Sequence, residues 1–300
     1  MYKLRLLGSL DLQDEGGTEL RLLRQPKRMS VLAFLAASEP GAFHRRDRLL
    51  ALFWPESSTK SARHGLRQAL YELRKELGDD AVLQRGVEEI ALNRQVVACD
   101  LTQLESAIAQ GRLEEAMELY RGPLLEAFFV PRASGFMDWL DRRRAEVRRL
   151  AVDTAWHLVE LRTEEGDVAG ALDAARRAVQ WSPTDEVGVR RLISLLHEGG
   201  DHWEALRVYD RLANKLATEF EGVPSAETSE LIARVQEEAK RSESAGATAS
   251  TTSNIQLQDL PEVEDQAGET EVVPPRDPPV PTTGPRNETA MRGSRLGRLT

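Results

Sequence analysis

The sequence predicts a mainly α-helical protein that begins with a small α+β domain, continues as an all-α domain and ends in a disordered tail. Three observations support this prediction. Short strand patterns enclose three helical patterns within the first 97 residues. An internal repeat of 34 residues follows in an almost wholly helical stretch that ends near residue 240. The last 60 residues hold 7 of the 14 prolines and no aromatic residue, so they are predicted to stay unfolded. We therefore place the domains at 1–97, 98–240 and 241–300.

The first domain combines strand patterns with helix patterns. Partly alternating apolar residues predict strands at residues 2–7, 9–12, 19–22, 81–83 and 87–92. Apolar residues at helical spacing predict helices at residues 26–37, 46–53 and 58–77. Pro26 suits the start of the first helix, Pro55 ends the second, and Gly78 follows the third as a C-terminal cap. Strands, three helices and a hairpin in this order predict a winged helix-turn-helix domain.

The second domain is predicted from the internal repeat. Two dipeptides recur 34 residues later, Gly166-Asp167 as Gly200-Asp201 and Ala171-Leu172 as Ala205-Leu206. This is the tetratricopeptide period, in which helix pairs stack and small residues let neighbouring helices approach closely. Gly111 with Glu115-Ala116 is a weaker third copy that lies out of period. The pattern therefore favours a tetratricopeptide-like domain of paired helices.

The composition excludes several classes of protein. No run of about 18 uninterrupted apolar residues predicts a membrane helix, and the N-terminus lacks the long apolar stretch of a secretory signal. The single cysteine, Cys99, has no internal disulfide partner, which indicates a reducing, cytoplasmic location. The sequence contains no glycine-rich phosphate loop, nucleophile motif or set of metal-ligand spacings. We therefore expect neither an enzyme nor a cofactor or metal site.

The charge of the chain is unevenly distributed. The net charge is −9, yet residues 24–75 hold 11 basic and 4 acidic side chains. A positive segment inside an acidic protein is a candidate electrostatic footprint for nucleic acid. A solvated helix face without a ligand is the alternative explanation of such a run.

The third helix of the first domain separates its residues into two faces. Its apolar stripe consists of Ala62, Leu66, Ala69, Leu70, Leu73 and Leu77. Beside this stripe lies a basic arc, which we define as Lys60, Arg63, His64, Arg67, Tyr71, Arg74 and Lys75. Such an arc suits the major groove of duplex DNA, where arginine reads guanine and Gln68 could read adenine.

Further basic residues are predicted to contact DNA around this helix. Arg85 lies at the tip of the predicted hairpin, where it could enter a minor groove. Six others are expected near the flanking phosphates, namely Arg24, Lys27, Arg28, Arg45, Arg46 and Arg48.

These residues also resemble a known family. The run Leu52-Phe53-Trp54-Pro55-Glu56, followed by Ala62-Arg63, Leu66-Arg67 and Leu73-Arg74, resembles the winged helix of Streptomyces antibiotic regulatory protein (SARP)-type activators. Asp100-Leu101, Tyr120–Leu125 and the Trp139–Arg143 region resemble the bacterial transcriptional activator domain that accompanies it. The resemblance implies an OmpR/PhoB-type winged helix whose third helix lies in the major groove. It places DNA contacts on Lys60, Arg63, His64, Arg67, Tyr71 and Arg74, with Arg85 on the wing.

We therefore expect a cytoplasmic, sequence-specific regulator of transcription that binds double-stranded DNA. The resemblance implies an activator that binds direct repeats in promoters as a homo-oligomer and recruits RNA polymerase. The alternative is a protein-interaction scaffold that uses its helical repeats, with the winged helix as a docking surface. Four tryptophans of the second domain are predicted as core residues, and they also motivate the hypothesis of a ligand groove: Trp139, Trp156, Trp181 and Trp203.

Overall fold

The computed structural model describes residues 1–20 and 24–255, with side chains described as far as residue 241. The first part comprises β1 (Tyr2–Arg5), β2 (Asp11–Gln13), α1 (Pro26–Ala36), β3 (His44–Arg45), α2 (Arg46–Phe53), α3 (Thr59–Leu77), β4 (Val82–Arg85), β5 (Glu89–Leu92) and β6 (Val97–Cys99). The helical part comprises α4 (Asp100–Ala109), α5 (Leu113–Leu119), α6 (Ser134–Glu164), α7 (Val168–Trp181), α8 (Glu186–Glu198), α9 (His202–Phe220) and α10 (Ala226–Ile255). The predicted mainly α class is confirmed, and α1 to α3 lie within one residue of their predicted bounds.

The strands form two small sheets. In the first, β1 lies between β2, to which it is antiparallel, and β6, to which it is parallel. In the second, the β4–β5 hairpin is extended by β3, and this hairpin is the predicted wing. The sequence analysis missed β3 and β6, because two or three residues are too few to show an alternating pattern. The strand predicted at 19–22 contributes a single bridge from Glu19 to Gln13, and residues 21–23 lie outside the described ranges.

The predicted 34-residue repeat corresponds to two helix pairs, α6–α7 and α8–α9. Gly166 and Gly200 occupy the two turns with φ of +78° and +80°, a left-handed conformation that favours glycine. The aspartate after each glycine, Asp167 or Asp201, accepts a backbone N–H in the first turn of the following helix. The repeated dipeptide therefore encodes a tight turn and the cap of the second helix.

Buried alanines let the paired helices approach each other. Ala171 and Ala205 lie five residues after the two turn glycines and are 2% and 0% exposed. The weaker third copy follows the same rule in α4–α5, with Gly111 at φ +70° and Ala116 1% exposed. This copy is out of period because α5 is followed by an irregular loop at residues 120–133 and because α6 has 31 residues, whereas α8 has 13.

The first domain and α6 share one aromatic core. The ring of Phe34 lies 4.8 Å from that of Trp139, and the ring of Phe53 lies 5.2 Å from that of Phe136. Gly135 permits this approach of α6 to α2, since a Cβ atom there would stand 3.3 Å from the backbone of α2. The hydrophobic core of residues 1–97 is therefore completed by side chains from the helical part.

A buried carboxylate joins the first sheet to α4. Asp100 accepts the backbone N–H groups of Leu6 (2.8 Å), Leu7 (3.0 Å) and Leu101 (2.8 Å). Burial raises the pKa of Asp100, while these three hydrogen bonds oppose the shift. Leu125 donates its backbone N–H to the carbonyl of Leu6 at 2.7 Å, so the chain after β1 is held from two sides.

The four tryptophans of the helical part differ in burial. Trp156 is 8% exposed, and Trp139 and Trp181 are half-buried against aromatic neighbours. Trp203 is 64% exposed, so its prediction as a core residue is wrong. It lies in the first turn of α9, and the corresponding turn of α7 also exposes an apolar side chain, Val168. Periodicity identifies an apolar position but not whether a neighbouring helix covers it.

The last described helix continues past the predicted end of the second domain. α10 reaches Ile255, although the tail was expected to begin at residue 241. The start of α10 is tied to α8, because Glu186 accepts the backbone N–H of Ser225 (2.9 Å) and the hydroxyl of Thr228 (2.8 Å). The remainder of the predicted tail, residues 256–300, lies outside the described residues. Among the helices that are described, none combines the length and apolar character needed to span a bilayer.

Candidate nucleic-acid interface

The helix α3 exposes the predicted basic arc to solvent because its apolar stripe packs into the core. Ser58 caps its first turn by accepting the backbone N–H of Ser61 at 3.4 Å. All six residues of the predicted apolar stripe are buried, at 0–3% exposure. The arc beside the stripe is consequently turned outward.

Close packing of α2 against α3 depends on a glycine that the sequence analysis did not single out. A Cβ atom on Gly65 would stand 2.7 Å from Nε1 and 2.8 Å from Cε2 of the Trp54 ring. Trp54 therefore occupies the space that any other residue at position 65 would fill. The Trp-Pro dipeptide thus ends α2 and also sets the distance between α2 and α3.

Six of the seven arc side chains are exposed: Lys60, Arg63, His64, Arg67, Tyr71 and Lys75. Tyr71 is 60% exposed, which is unusual for an aromatic side chain on a helix with a complete apolar stripe. The seventh, Arg74, is half-buried and donates to the carbonyl of Val82 at 3.4 Å, so it connects α3 to the base of the wing.

Gln68 lies on the opposite flank from the exposed cations. Its amide donates to Glu72 at 3.0 Å, and Glu72 also forms an ion pair with Arg28 of α1 at 3.6 Å. Gln68 and Arg28 are both half-buried in this arrangement. In this arrangement Glu72 therefore competes with DNA for both side chains.

Arginines from α2 and α3 meet in one hollow. Arg46, Arg63 and Arg67 line it together with Asp47 and Glu88. Arg46 is fixed there, because its side chain donates to the carbonyl of Val87 at 2.7 Å and its backbone N–H donates to the carbonyl of Glu88 at 2.8 Å. The hollow places the start of α2, the middle of α3 and the turn of the wing beside one another.

The wing residue Arg85 has a carboxylate partner. Its Nε donates to Glu89 at 2.5 Å, and its guanidinium lies 4.5 Å from the ring centroid of Phe43. This hydrogen bond raises the pKa of Arg85 and lowers the pKa of Glu89. Arg85 nevertheless remains 65% exposed, next to the turn at Gly86 where φ is +61°.

The other flanking cations are exposed, except for the half-buried Lys27. Arg24 and Arg45 are exposed, and Arg48 lies 5.8 Å from the ring centroid of Phe34. Lys27 donates to the carbonyl of Arg132 at 3.4 Å and lies over the Trp54 ring. Burial lowers the pKa of Lys27, and the charge of Arg132 lowers it further.

Comparisons with known proteins agree with this organisation. Residues 91–236 match the family model of the bacterial transcriptional activator domain. A solved structure of Mycobacterium tuberculosis EmbR, in complex with a low-affinity phosphopeptide, aligns at 21% identity with a TM-score of 0.53. The alignment covers 85% of this chain and 71% of that chain, and at this identity it shows the fold. A search of the curated proteins finds no match.

Proposed function

We propose that this chain activates transcription by binding duplex DNA through its basic arc, because residues 91–236 match the bacterial transcriptional activator domain and the sequence resembles SARP-type regulators. The observation that carries the proposal is the outward-facing set of cations on α3, beside a fully buried stripe. A helix of this kind fits the width of the major groove. The proposal extends to binding of direct repeats by two or more copies, with recruitment of RNA polymerase.

The contacts divide into base readers and phosphate contacts. Arg63 and Arg67 are one helical turn apart in the hollow with Arg46, so either guanidinium can reach a guanine edge bidentately. Lys60 and Lys75 stand at the two ends of the arc and would neutralise phosphates. The wing would enter the adjacent minor groove when the guanidinium of Arg85 releases the carboxylate of Glu89 and contacts the DNA instead.

The test is selection of bound sequences from a random duplex pool by the full chain at two salt concentrations. We expect a short repeated motif to be enriched, with affinity falling steeply as salt rises. Arg67→Ala should weaken binding to that motif by about tenfold or more, the usual cost of one bidentate base contact. The matched control is Arg234→Ala, an exposed arginine of α10, which should bind like the wild type.

Two results would contradict the proposal. One is the absence of any enriched motif, and the other is an equal effect of Arg67→Ala and Arg234→Ala. Recruitment of RNA polymerase is tested separately, by transcription in vitro from a promoter that carries the enriched motif. Activation that disappears with Arg67→Ala supports the proposal, whereas binding without activation overturns the recruitment step.

A protein-interaction scaffold is the second candidate. It is supported by a groove of about 750 Å³ across α6, α8 and α10, with Val159, Val187 and Leu231 among its apolar lining. A scaffold function predicts capture of a partner protein that is insensitive to Arg67→Ala and is weakened by Val187→Asp. DNA binding and partner binding would then use separate surfaces of the chain.

A further inference from the structure

The first sheet has one buried face and one open face. Leu4 of β1 and Leu12 of β2 point into the core and are 1% and 0% exposed. Because side chains alternate along a strand, their neighbours point the other way. The strand register places Gln13, Lys3 and Ala98 side by side across the three strands on this open face. Because the side chain of Ala98 is only a methyl group, the open face has a hollow beside Lys3.

Residues of the helical part form one side of this hollow. Gln103 of α4, Leu119 at the end of α5 and Arg121 after it line the hollow opposite the sheet. The volume of the hollow is about 430 Å³, within the range of ordinary small-molecule sites. The hollow therefore lies between the predicted DNA-binding domain and the helical domain.

Backbone hydrogen bonds hold the two sides of the hollow in place. The carboxylate of Asp100 accepts backbone N–H groups from the chain after β1. In addition, Gly8 donates its backbone N–H to the carbonyl of Pro123 at 3.0 Å. A Cβ atom on Gly122 would stand 3.1 Å from the Cα of Gly8, so the two segments touch backbone to backbone. A ligand that enters this site does not have to order the surrounding chain, which lowers the cost of binding.

The charges around the hollow are not balanced. Arg5 is paired with Asp11, and Gln13 also donates to that carboxylate at 2.8 Å. Lys3 and Arg121, in contrast, form no ion pair within the described ranges. The carboxylate of Asp100 is occupied by its three backbone donors. Two cations, one from each side, are thus left facing a small, partly apolar hollow.

We propose that this hollow binds a small anionic molecule carrying carboxylate or phosphate groups. Lys3 contributes an ammonium group from the sheet. Arg121 contributes a planar guanidinium from the helical part, which can donate two hydrogen bonds to a carboxylate or a phosphate. A molecule of this volume that contacts both would connect the two parts of the chain. The site is separate from the basic arc, so its occupancy can be measured without DNA.

The experiment is isothermal titration of the full chain with inorganic pyrophosphate and with citrate, at constant ionic strength. These probes distinguish a phosphate ligand from a carboxylate ligand. We expect at least one probe to bind with one-to-one stoichiometry, and Lys3→Gln or Arg121→Gln to weaken it about tenfold. Ala98→Leu should weaken binding, because the larger side chain projects into the hollow beside Lys3 and leaves both cations in place.

The matched control is Arg207→Gln, which removes an exposed cation of α9 far along the chain. It should leave binding unchanged. Failure of both probes to bind overturns the proposal, as does equal weakening by Arg207→Gln or wild-type binding by Ala98→Leu. Lys3 is exposed on the sheet surface, so Lys3→Gln remains informative even if Ala98→Leu does not fold.

Discussion

Replacement of Phe136 by alanine tests whether the first domain depends on the helical part for its core. Phe136 is 0% exposed, and its ring lies 5.2 Å from Phe53 and 5.5 Å from Trp139. The substitution removes the aromatic contact between α2 and α6 and leaves a cavity at their junction. Buried Phe→Ala changes cost about 3–5 kcal/mol. Since whole domains are stable by about 5–15 kcal/mol, this variant should approach the limit of folding.

The assay is urea unfolding of the full chain, followed by far-ultraviolet circular dichroism. The midpoint should fall by the equivalent of about 3–5 kcal/mol, with little change in the slope of the transition. Trp203→Ala is the matched control, because it deletes a large ring at an exposed site and should change the free energy of unfolding by less than about 0.5 kcal/mol.

Two outcomes would refute this reasoning. A loss below about 1 kcal/mol for Phe136→Ala would mean that the cavity collapses without cost, against the usual behaviour of buried aromatic sites. A fragment of residues 1–97 that unfolds at the same urea concentration as the full chain would mean that the first domain has a complete core of its own.

Three further predictions follow from individual contacts. Gly65→Ala should destabilise the protein by about 1–3 kcal/mol in urea unfolding, because the added methyl group overlaps the Trp54 ring. Burial raises the pKa of Cys99 to about 12, so the thiol stays protonated at neutral pH and should react with iodoacetamide only on unfolding. Glu89→Gln should raise DNA affinity severalfold in fluorescence anisotropy, since Arg85 no longer has a competing carboxylate.

Each of these has a distinct control. Ser61→Ala, on the exposed side of α3, should leave stability unchanged, and equal losses at both positions would exclude the clash. For Cys99, fast alkylation of the native protein would contradict the burial. For the wing, Glu230→Gln removes an exposed carboxylate of α10, and an equal gain from it would show that the loss of negative charge, rather than the release of Arg85, raises the affinity.

Local patterns predicted the helices of the first domain because their determinants are close in sequence. The buried stripe of α3 follows from apolar residues three or four apart, and Pro55 and Gly78 set the ends of α2 and α3. The helix pairs were predicted for a similar reason, since a glycine, its aspartate cap and a buried alanine lie within six residues of one another. The same reasoning failed for β6, which is too short to show a pattern and is recruited by β1 from the far end of the domain.

The sequence by itself determined which residues lie on one face of α3, because helical periodicity depends only on neighbours along the chain. Only the tertiary structure decided which of these side chains are exposed and which are held by other residues. Helical spacing places Gln68 beside Glu72, but no spacing rule predicts that Glu72 also pairs with Arg28 of α1 or that Arg74 donates to the carbonyl of Val82. The same holds for the aromatic core, in which Phe34 meets a tryptophan more than 100 residues away. Such partners are set by the packing of whole helices and strands. Burial of apolar surface stabilises any two groups that meet in space, however far apart they are along the chain.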